Sequence, residues 1–393
     1  MNLRRPARGE KLVPRNAALP HLLRAPGQSP LSSPFFSPMP DANSALDPDA
    51  HPQAPNRFQI GVDENGLGAR LGPLLVSAVM AEVTQAGLPR LTRRPRGQLA
   101  RDLDDSKRLL KHGSVALGEA WARAVVERLE PSPPDQPEDL LRALALESAE
   151  LLQSPCPNGL SAHCWGHAHE AFVAPPELVD RVRLHLDKLE RDGIRLLSAK
   201  SSIVCTERLN AAKRDGINRF VRNLHAMEEL VLALRDSAGQ DVHAVCGKVG
   251  GIGDYSRFFG PLSGQLHAVL SQKRTHAAYH FPGVGQLHFM MDVDARHRLV
   301  MLASMLGKYL RELLMGRVSE FYLARLPQDA GMSATSGYND PVTSRFVVAT
   351  EALRRQLRVP ETCFERTGAD GKQAQGAKRK PKAKANQTRD TTS

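Results

Sequence analysis

The chain has 393 residues, 41% of them hydrophobic, which is enough to form the core of one large domain or two modest ones. Its formal net charge of +11 makes an anionic partner the first expectation. The sequence has no apolar run as long as the roughly eighteen residues of a membrane span, so no membrane partner is expected. Its five cysteines, an odd and sparse number, suit a reducing cytoplasm better than a disulfide scaffold, and we expect a cytoplasmic monomer.

Both ends of the chain have the composition of disordered segments. Residues 1–56 are rich in Pro, Ala, Ser and Arg and form a predicted disordered leader. The C-terminal segment, residues 351–393, ends in a basic tail in which Lys372 to Arg389 include seven Lys or Arg. Such a tail is typical of a disordered segment that binds phosphate backbones without reading sequence, and the alternative is a solubilising tail.

Strand and helix patterns alternate over residues 57–350 and predict an α/β domain with an insertion around residues 110–200. Strands are predicted at "FQIGV", "LGPLLVSAVMAEV", "IRLLSAKSSIVC" and "DVHAVCGKVGG". The stretch from "QLHFMMDVDAR" onward predicts a strand that runs directly into a long helix. Residues 154–175 indicate an irregular segment.

Two adjacent carboxylates, Asp63 and Glu64, end the first strand and precede a glycine-rich turn. On their own they are explained equally well by side-chain capping of the turn. A nucleotide-binding loop is excluded, because Gly66, Gly68 and Gly72 lack the dinucleotide spacing and no Gly-Lys-Ser/Thr follows.

A second acidic pair favours a metal site. Asp292 and Asp294 follow an apolar run and are two residues apart, so on a strand they would share one face. We expect the two acid-bearing strands to be adjacent, so that their carboxylates converge. Mg²⁺ or Mn²⁺ prefers such hard oxygen ligands, and a pair of these ions is a common device for phosphodiester cleavage.

Five motifs in order resemble type 2 ribonuclease H. "GVDENGLGARLGP" is similar to the family's opening strand and glycine turn, and "DDSKRL" to its Asp-Ser-Lys segment. "NAAKRDGINRFVRNLHAMEELV", "DARHRLVMLASMLGKYLRE" and "SGYNDP" resemble its Ala-Met helix, its last acid with the following helix, and its late Gly-Tyr element. Together these motifs span about residues 58–348.

The resemblance implies a ribonuclease H-like mixed β-sheet flanked by helices, with a helical C-terminal part. It implies a metal-dependent endonuclease acting on RNA/DNA hybrids or on duplex DNA that contains ribonucleotides. Asp63, Glu64 and Asp294 match three of the family's four metal-binding acids. The residues that match its nucleic-acid contacts are Gly66, Gly68, Lys107, Ser304, Lys308 and Tyr338.

The chain departs from the family pattern at two places. The fourth acid is missing, since Cys246 and Gly247 occupy the aligned positions. Asp254 and Asp292 are possible substitutes, and the strand-face argument favours Asp292, although an ordinary exposed acid is the alternative. Leu67 replaces an arginine in the glycine turn, whose backbone amides can still contact a 2′-hydroxyl.

A cluster of possible zinc ligands is the other motif of note. It comprises Cys156, His163, Cys164, His167 and His169. The spacing matches no standard zinc finger and no second Cys-x2-Cys half is present, so an irregular segment with a packed Trp165 is the favoured interpretation.

Two functions follow from these observations. The favoured one is a divergent type 2 ribonuclease H that uses Mg²⁺ or Mn²⁺ held by Asp63, Glu64 and Asp294, with Asp292 as a possible fourth ligand. The alternative is a catalytically weakened relative that only binds nucleic acid. A carboxylate at Cys246 or Gly247 would have decided between them.

Overall fold

The structure, a computed structural model, describes residues 57–157, 160–168, 170–250, 252–327 and 331–368. The predicted disordered leader and the basic tail lie outside these residues. Within them, no helix is long and apolar enough to cross a membrane.

One mixed sheet organises the described residues, with the strand order β3-β2-β1-β4-β7-β6-β5. The strands are β1 (Phe58–Asn65), β2 (Leu74–Val83), β3 (Ile194–Val204), β4 (Val242–Gly247), β5 (Ala268–Lys273), β6 (His276–Phe281) and β7 (Gly285–Met290). The pairs β1–β4 and β4–β7 are parallel, and the other neighbours are antiparallel.

Helices flank the sheet and form the C-terminal part of the described chain. They are α1 (Leu88–Leu91), α2 (Leu99–Asp102), α3 (Ser106–Leu109), α4 (Ala116–Leu129), α5 (Pro137–Leu144), α6 (Ala149–Gln153), α7 (Ala162–Trp165), α8 (Pro176–Arg191), α9 (Thr206–Arg214), α10 (Arg219–Ala238), α11 (Arg298–Leu323), α12 (Pro341–Ala349), α13 (Glu351–Gln356) and α14 (Glu361–Phe364). The mixed sheet flanked by helices that the sequence predicts is confirmed. The hairpin of β5 and β6 was not predicted.

Alternation along β1 divides its side chains between two cores. Ile60 and Val62 pack with α10 on one face. The Cα atom of Gly61 and the side chain of Asp63 face the other side of the sheet, which α11 covers. The sequence around residues 110–200, expected as an insertion, supplies α4, α8 and β3, which pack with α11 in this second core.

The contact between α11 and β1 is unusually close because it passes over a glycine. A Cβ atom on Gly61 would lie 2.4 Å from the carbonyl carbon of Leu299 and 2.4 Å from the amide nitrogen of Val300. The first turn of α11 therefore rests directly on the backbone of β1. This packing places the start of a 26-residue helix beside Asp63, the next side chain of β1 on that face.

We predict that Gly61→Ala destabilises the protein by about 1–3 kcal/mol, because an added methyl group must push α11 away from the sheet. Chemical unfolding followed by circular dichroism measures this change. Gly253→Ala is the matched control, since nothing lies within 4 Å of a Cβ at Gly253. Equal stability of the two variants would contradict the close contact.

Candidate active site

Asp63 lies near the end of β1, on the face that α11 covers, and only 7% of it is exposed. Its side chain hydrogen-bonds to Ser304 of α11. The Ser304 Oγ in turn lies 2.8 Å from the Oγ of Ser106 at the start of α3. Strand, long helix and short helix thus converge on one buried carboxylate.

Glu64 and Asp294 surround this carboxylate with further negative charge. Burial, the neighbouring Glu64 and Asp294 raise the pKa of Asp63 well above its ordinary value, against the opposing effect of Ser304. Burial, with a smaller contribution from Asp294, raises the pKa of Glu64 to about 7. Burial and mutual repulsion therefore disfavour the charged forms of Asp63 and Glu64.

Lys107 is the cation that faces this acidic group. Its Nζ lies 3.3 Å from the Oδ2 of Asp294, and it lowers the pKa of both Asp63 and Glu64. Burial lowers the pKa of Lys107 itself, but the nearby acids outweigh this effect and its pKa is raised. One lysine thus compensates three carboxylates only in part.

Of the two positions that the sequence leaves open for a fourth acid, Gly247, the last residue of β4, lies beside the acidic group. A Cβ there would lie 3.0 Å from the Oδ1 of Asp63 and 3.5 Å from the Oε2 of Glu64. Cys246 instead is fully buried in the opposite core. The parallel pairing of β1 with β4 thus brings Gly247, rather than the side chain of Cys246, next to both carboxylates.

Two details of the predicted acidic edge are wrong. β7 ends two residues before Asp292, so Asp292 and Asp294 do not share a strand face, and Asp292 is exposed with a left-handed φ of 52°. The strands β1 and β7 are also not adjacent, because β4 lies between them. Asp294 still approaches Asp63, since its short 3₁₀ turn packs over β4 through the contact of Val293 with Val245.

The glycine turn after β1 is shaped by α11. Gly66 has a φ of +87°, and a Cβ there would lie 2.4 Å from the Nε of Arg311. Both its backbone conformation and this contact require glycine. Gly68 is exposed, with nothing within 4 Å of a Cβ position. The turn is therefore packed against Arg311 of α11 at Gly66 and exposed to solvent at Gly68.

Arg366 fastens this turn from the far end of the described chain. The buried guanidinium donates hydrogen bonds to the carbonyl of Gly66 (2.6 Å) and twice to that of Gly72 (2.9 and 2.7 Å). Burial, followed by the charges of Arg311 and Arg219, lowers the pKa of Arg366 to about 9. The sequence analysis missed this residue, because its motifs stop before it and nothing local marks it.

Helix α11 brings Lys308 and Tyr338 close to the glycine turn. The Lys308 Nζ lies 2.7 Å from the Oε1 of Glu312, whose Oε2 lies 2.7 Å from the Nδ1 of His112. The guanidinium of Arg311, fully buried, lies 4.3 Å from the centre of the Tyr338 ring. Arg311, like Arg366, was not singled out from the sequence.

The structure thus forms two neighbouring groups from the predicted residues. Asp63, Glu64, Asp294, Lys107 and Ser304 meet at the edge of the sheet. Gly66 and Tyr338 contact Arg311, Lys308 lies 5.8 Å from the centre of the Tyr338 ring, and Gly68 follows Gly66 in the same turn. Asp292 belongs to neither group by any contact described.

Within the described residues, no group of three His, Cys, Asp or Glu side chains is already positioned to bind a metal ion. Of the cysteines and histidines weighed as possible zinc ligands, His169 lies outside the described residues. His163 is buried with its ring edge-on to Tyr322, and Trp165 is buried beside it. This packing favours the structural interpretation of that segment.

Comparison with solved structures finds ribonucleases H. The match to Bst RNase HIII in complex with Mn²⁺ has 12% identity, a TM-score of 0.37, and covers 80% of this chain and 68% of that one. The match to RNase HII in its PCNA complex from Archaeoglobus fulgidus has 16% identity, a TM-score of 0.33, and coverages of 79% and 94%. For ribonuclease H2 from Pyrococcus horikoshii OT3 the values are 15%, 0.35, 78% and 92%. No family model and no curated protein matches the chain.

We predict that Arg366→Met lowers stability by about 2–4 kcal/mol, because buried carbonyls of the turn lose their donors. Thermal unfolding measures the loss. Arg355→Met, which removes an exposed arginine of the same segment, is the control and should stay within about 0.5 kcal/mol of the wild type. Unchanged unfolding of Arg366→Met would show that the turn does not depend on this side chain.

Proposed function

We propose that this protein is a divalent-metal-dependent nuclease that cleaves RNA/DNA hybrids or duplex DNA at embedded ribonucleotides. The observation that carries the proposal is the acidic group at the edge of the sheet. Asp63 and Glu64 are held on β1 with raised pKa values, Asp294 approaches them, and both strand acids point towards Gly247.

The chemistry of these donors fits Mg²⁺ or Mn²⁺. Carboxylate oxygens are the ligands that both ions prefer, and a bound cation would favour the charged forms of Asp63 and Glu64, whose pKa values burial and the neighbouring acids raise. Asp63, Glu64 and Asp294 would hold the ion, and Lys107 would exchange its contact with Asp294 for a phosphate. When bound, the cation supplies positive charge that stabilises the charge developing on a phosphate during hydrolysis.

The residues around the acids support a nucleic-acid substrate. Lys107, beside the acidic group, and Lys308, beside Tyr338, would supply positive charge for phosphates. The open space at Gly68 allows a ribose to approach the backbone closely. Tyr338 is half-buried over Arg311, which fixes its ring for stacking on a base or sugar.

A second candidate is a protein that binds nucleic acid with little or no cleavage. Gly247 favours it, because the position nearest both strand acids carries no ligand. The contact between Lys107 and Asp294 also favours it, since the lysine partly takes the place of a cation. Cleavage of a labelled duplex with one ribonucleotide, measured in Mg²⁺ and in Mn²⁺, separates the two candidates.

We predict that Asp63→Asn abolishes metal-dependent cleavage. The pKa of Asp63 is raised on folding, so the wild type loses unfolding free energy as the pH rises from the unfolded-state pKa to the folded-state pKa of this carboxyl. The variant has no such group and should be more stable than the wild type at pH 8 by about 1–3 kcal/mol. This difference should vanish below about pH 3, where the carboxyl is largely protonated in both states. Mn²⁺ should raise the melting temperature of the wild type at pH 8 but not that of the variant.

Asp292→Asn is the matched control, since it removes an exposed acid from the same edge. It should keep both cleavage and the Mn²⁺-dependent stabilisation. Full cleavage by Asp63→Asn would refute the acidic site, whereas loss of cleavage in Asp292→Asn would return Asp292 to the set of metal ligands.

We predict that Gly247→Asp strengthens Mn²⁺ binding at least several-fold and increases cleavage, because the new carboxylate extends towards Asp63 and Glu64. Titration of Mn²⁺ followed by its paramagnetic resonance signal measures binding without relying on activity. Gly247→Asn is the control, with nearly the same shape and no charge. Equal Mn²⁺ affinity of the two variants would show that this position does not join the metal site.

A further inference from the structure

A second concentration of charge surrounds a cavity of about 270 Å³ at the start of α11. Six basic side chains line it together with a single acid, Asp192. The basic residues are Arg90, Arg93, Arg94, Arg96, Lys188 and Arg298. They come from α1 and the loop that follows it, from α8 and from α11, so they are brought together only by the fold.

The one carboxylate in this lining is shared among three cations. Asp192 lies 2.8 Å from Arg90, 3.5 Å from Lys188 and 3.4 Å from Arg298. The side chain of Arg298 is only 8% exposed, and its other contact is the carbonyl of Arg93 at 3.3 Å. The cavity therefore carries a surplus of positive charge, part of it buried.

A buried cation with too little counter-charge is costly, and a bound anion relieves that cost. Guanidinium groups bind phosphate through paired hydrogen bonds, which makes an arginine-lined cavity best suited to a phosphate group. Arg93, Arg94 and Arg96 are exposed on their loop and are thus accessible to such a ligand.

The cavity is close to the acidic group. Arg298 follows Asp294 by four residues, which separates their Cα atoms by at most about 14 Å. Asp104 connects the two regions on the other side, since it pairs with Arg94 of the cavity and with Arg108, the neighbour of Lys107. Because each strand of a duplex advances about 3.4 Å per nucleotide, this distance corresponds to about four nucleotides or fewer.

We infer that this cavity holds a backbone phosphate of the nucleic acid, a few nucleotides from the phosphate that meets Asp63. The identity of the ligand as a nucleic-acid strand rests on the proposed function, and the preference for a phosphate rests on the cavity itself. The contact is independent of sequence and of the presence of a ribonucleotide, because it involves only the backbone.

The test is the binding of plain duplex DNA, without ribonucleotides and in EDTA, to the full chain at several salt concentrations. The variant replaces Arg93, Arg94 and Arg96 with Gln. Each lost phosphate contact lowers the slope of log affinity against log salt by about one, so we expect a decrease of about one, for the single phosphate that the cavity holds, and an affinity about ten-fold weaker. Arg183→Gln, on the exposed face of α8 and paired with Glu127, is the control and should bind like the wild type.

The outcome of this test does not depend on whether the protein cleaves nucleic acid, so the inference and the proposed function can fail separately. A weaker, less salt-dependent variant supports the cavity even if the protein never cleaves. An unchanged slope in the triple variant and in Lys188→Gln overturns the inference even if cleavage is strong. A thermal-shift assay with inorganic phosphate distinguishes a nucleic-acid strand from free phosphate as the ligand. If phosphate stabilises the wild type but not the triple variant, and both bind the duplex equally, the cavity binds free phosphate. That result would overturn the assignment of the cavity to a nucleic-acid strand.

Discussion

The direct packing of α11 on β1 is the constraint on which the rest of the structure depends. A glycine at position 61 allows the first turn of the helix to rest on the strand backbone. From that contact the helix extends under the acidic group with Ser304, under the glycine turn with Arg311, and beside Tyr338 with Lys308. A rigid, almost wholly buried helix thus fixes both groups of the candidate site in one frame.

Electrostatics explains why these groups belong together. The chain is strongly basic, yet three of its carboxylates, among them the buried Asp63, are gathered at one point with Lys107 facing them. Such an arrangement costs stability in the free protein and gains it only when positive charge arrives. The arginine-lined cavity presents the opposite imbalance a short distance away. The two sites of unmatched charge suit a polyanion that brings cations with it.

Much of this arrangement could be predicted from the sequence, and the failures have physical causes. The strand end at Asp63 and Glu64 is a local signal, but their role as metal ligands was predicted only with the second acidic pair and the resemblance to ribonuclease H motifs. The strand-face argument for Asp292 failed because the chain leaves β7 before that residue, and periodicity does not mark strand ends well. Arg366 escaped notice because its partners lie some 300 positions away in the sequence.

That long separation has a consequence for how the protein is made. The turn at Gly66 and the loop at Gly72 emerge early in synthesis, but the guanidinium that fastens them is among the last of the described residues to be added. Until position 366 has left the ribosome, the carbonyls of the turn have no arginine to pair with. The nascent chain therefore carries its acids before the turn beside them is held in place, and the candidate site is completed only after position 366 has been added.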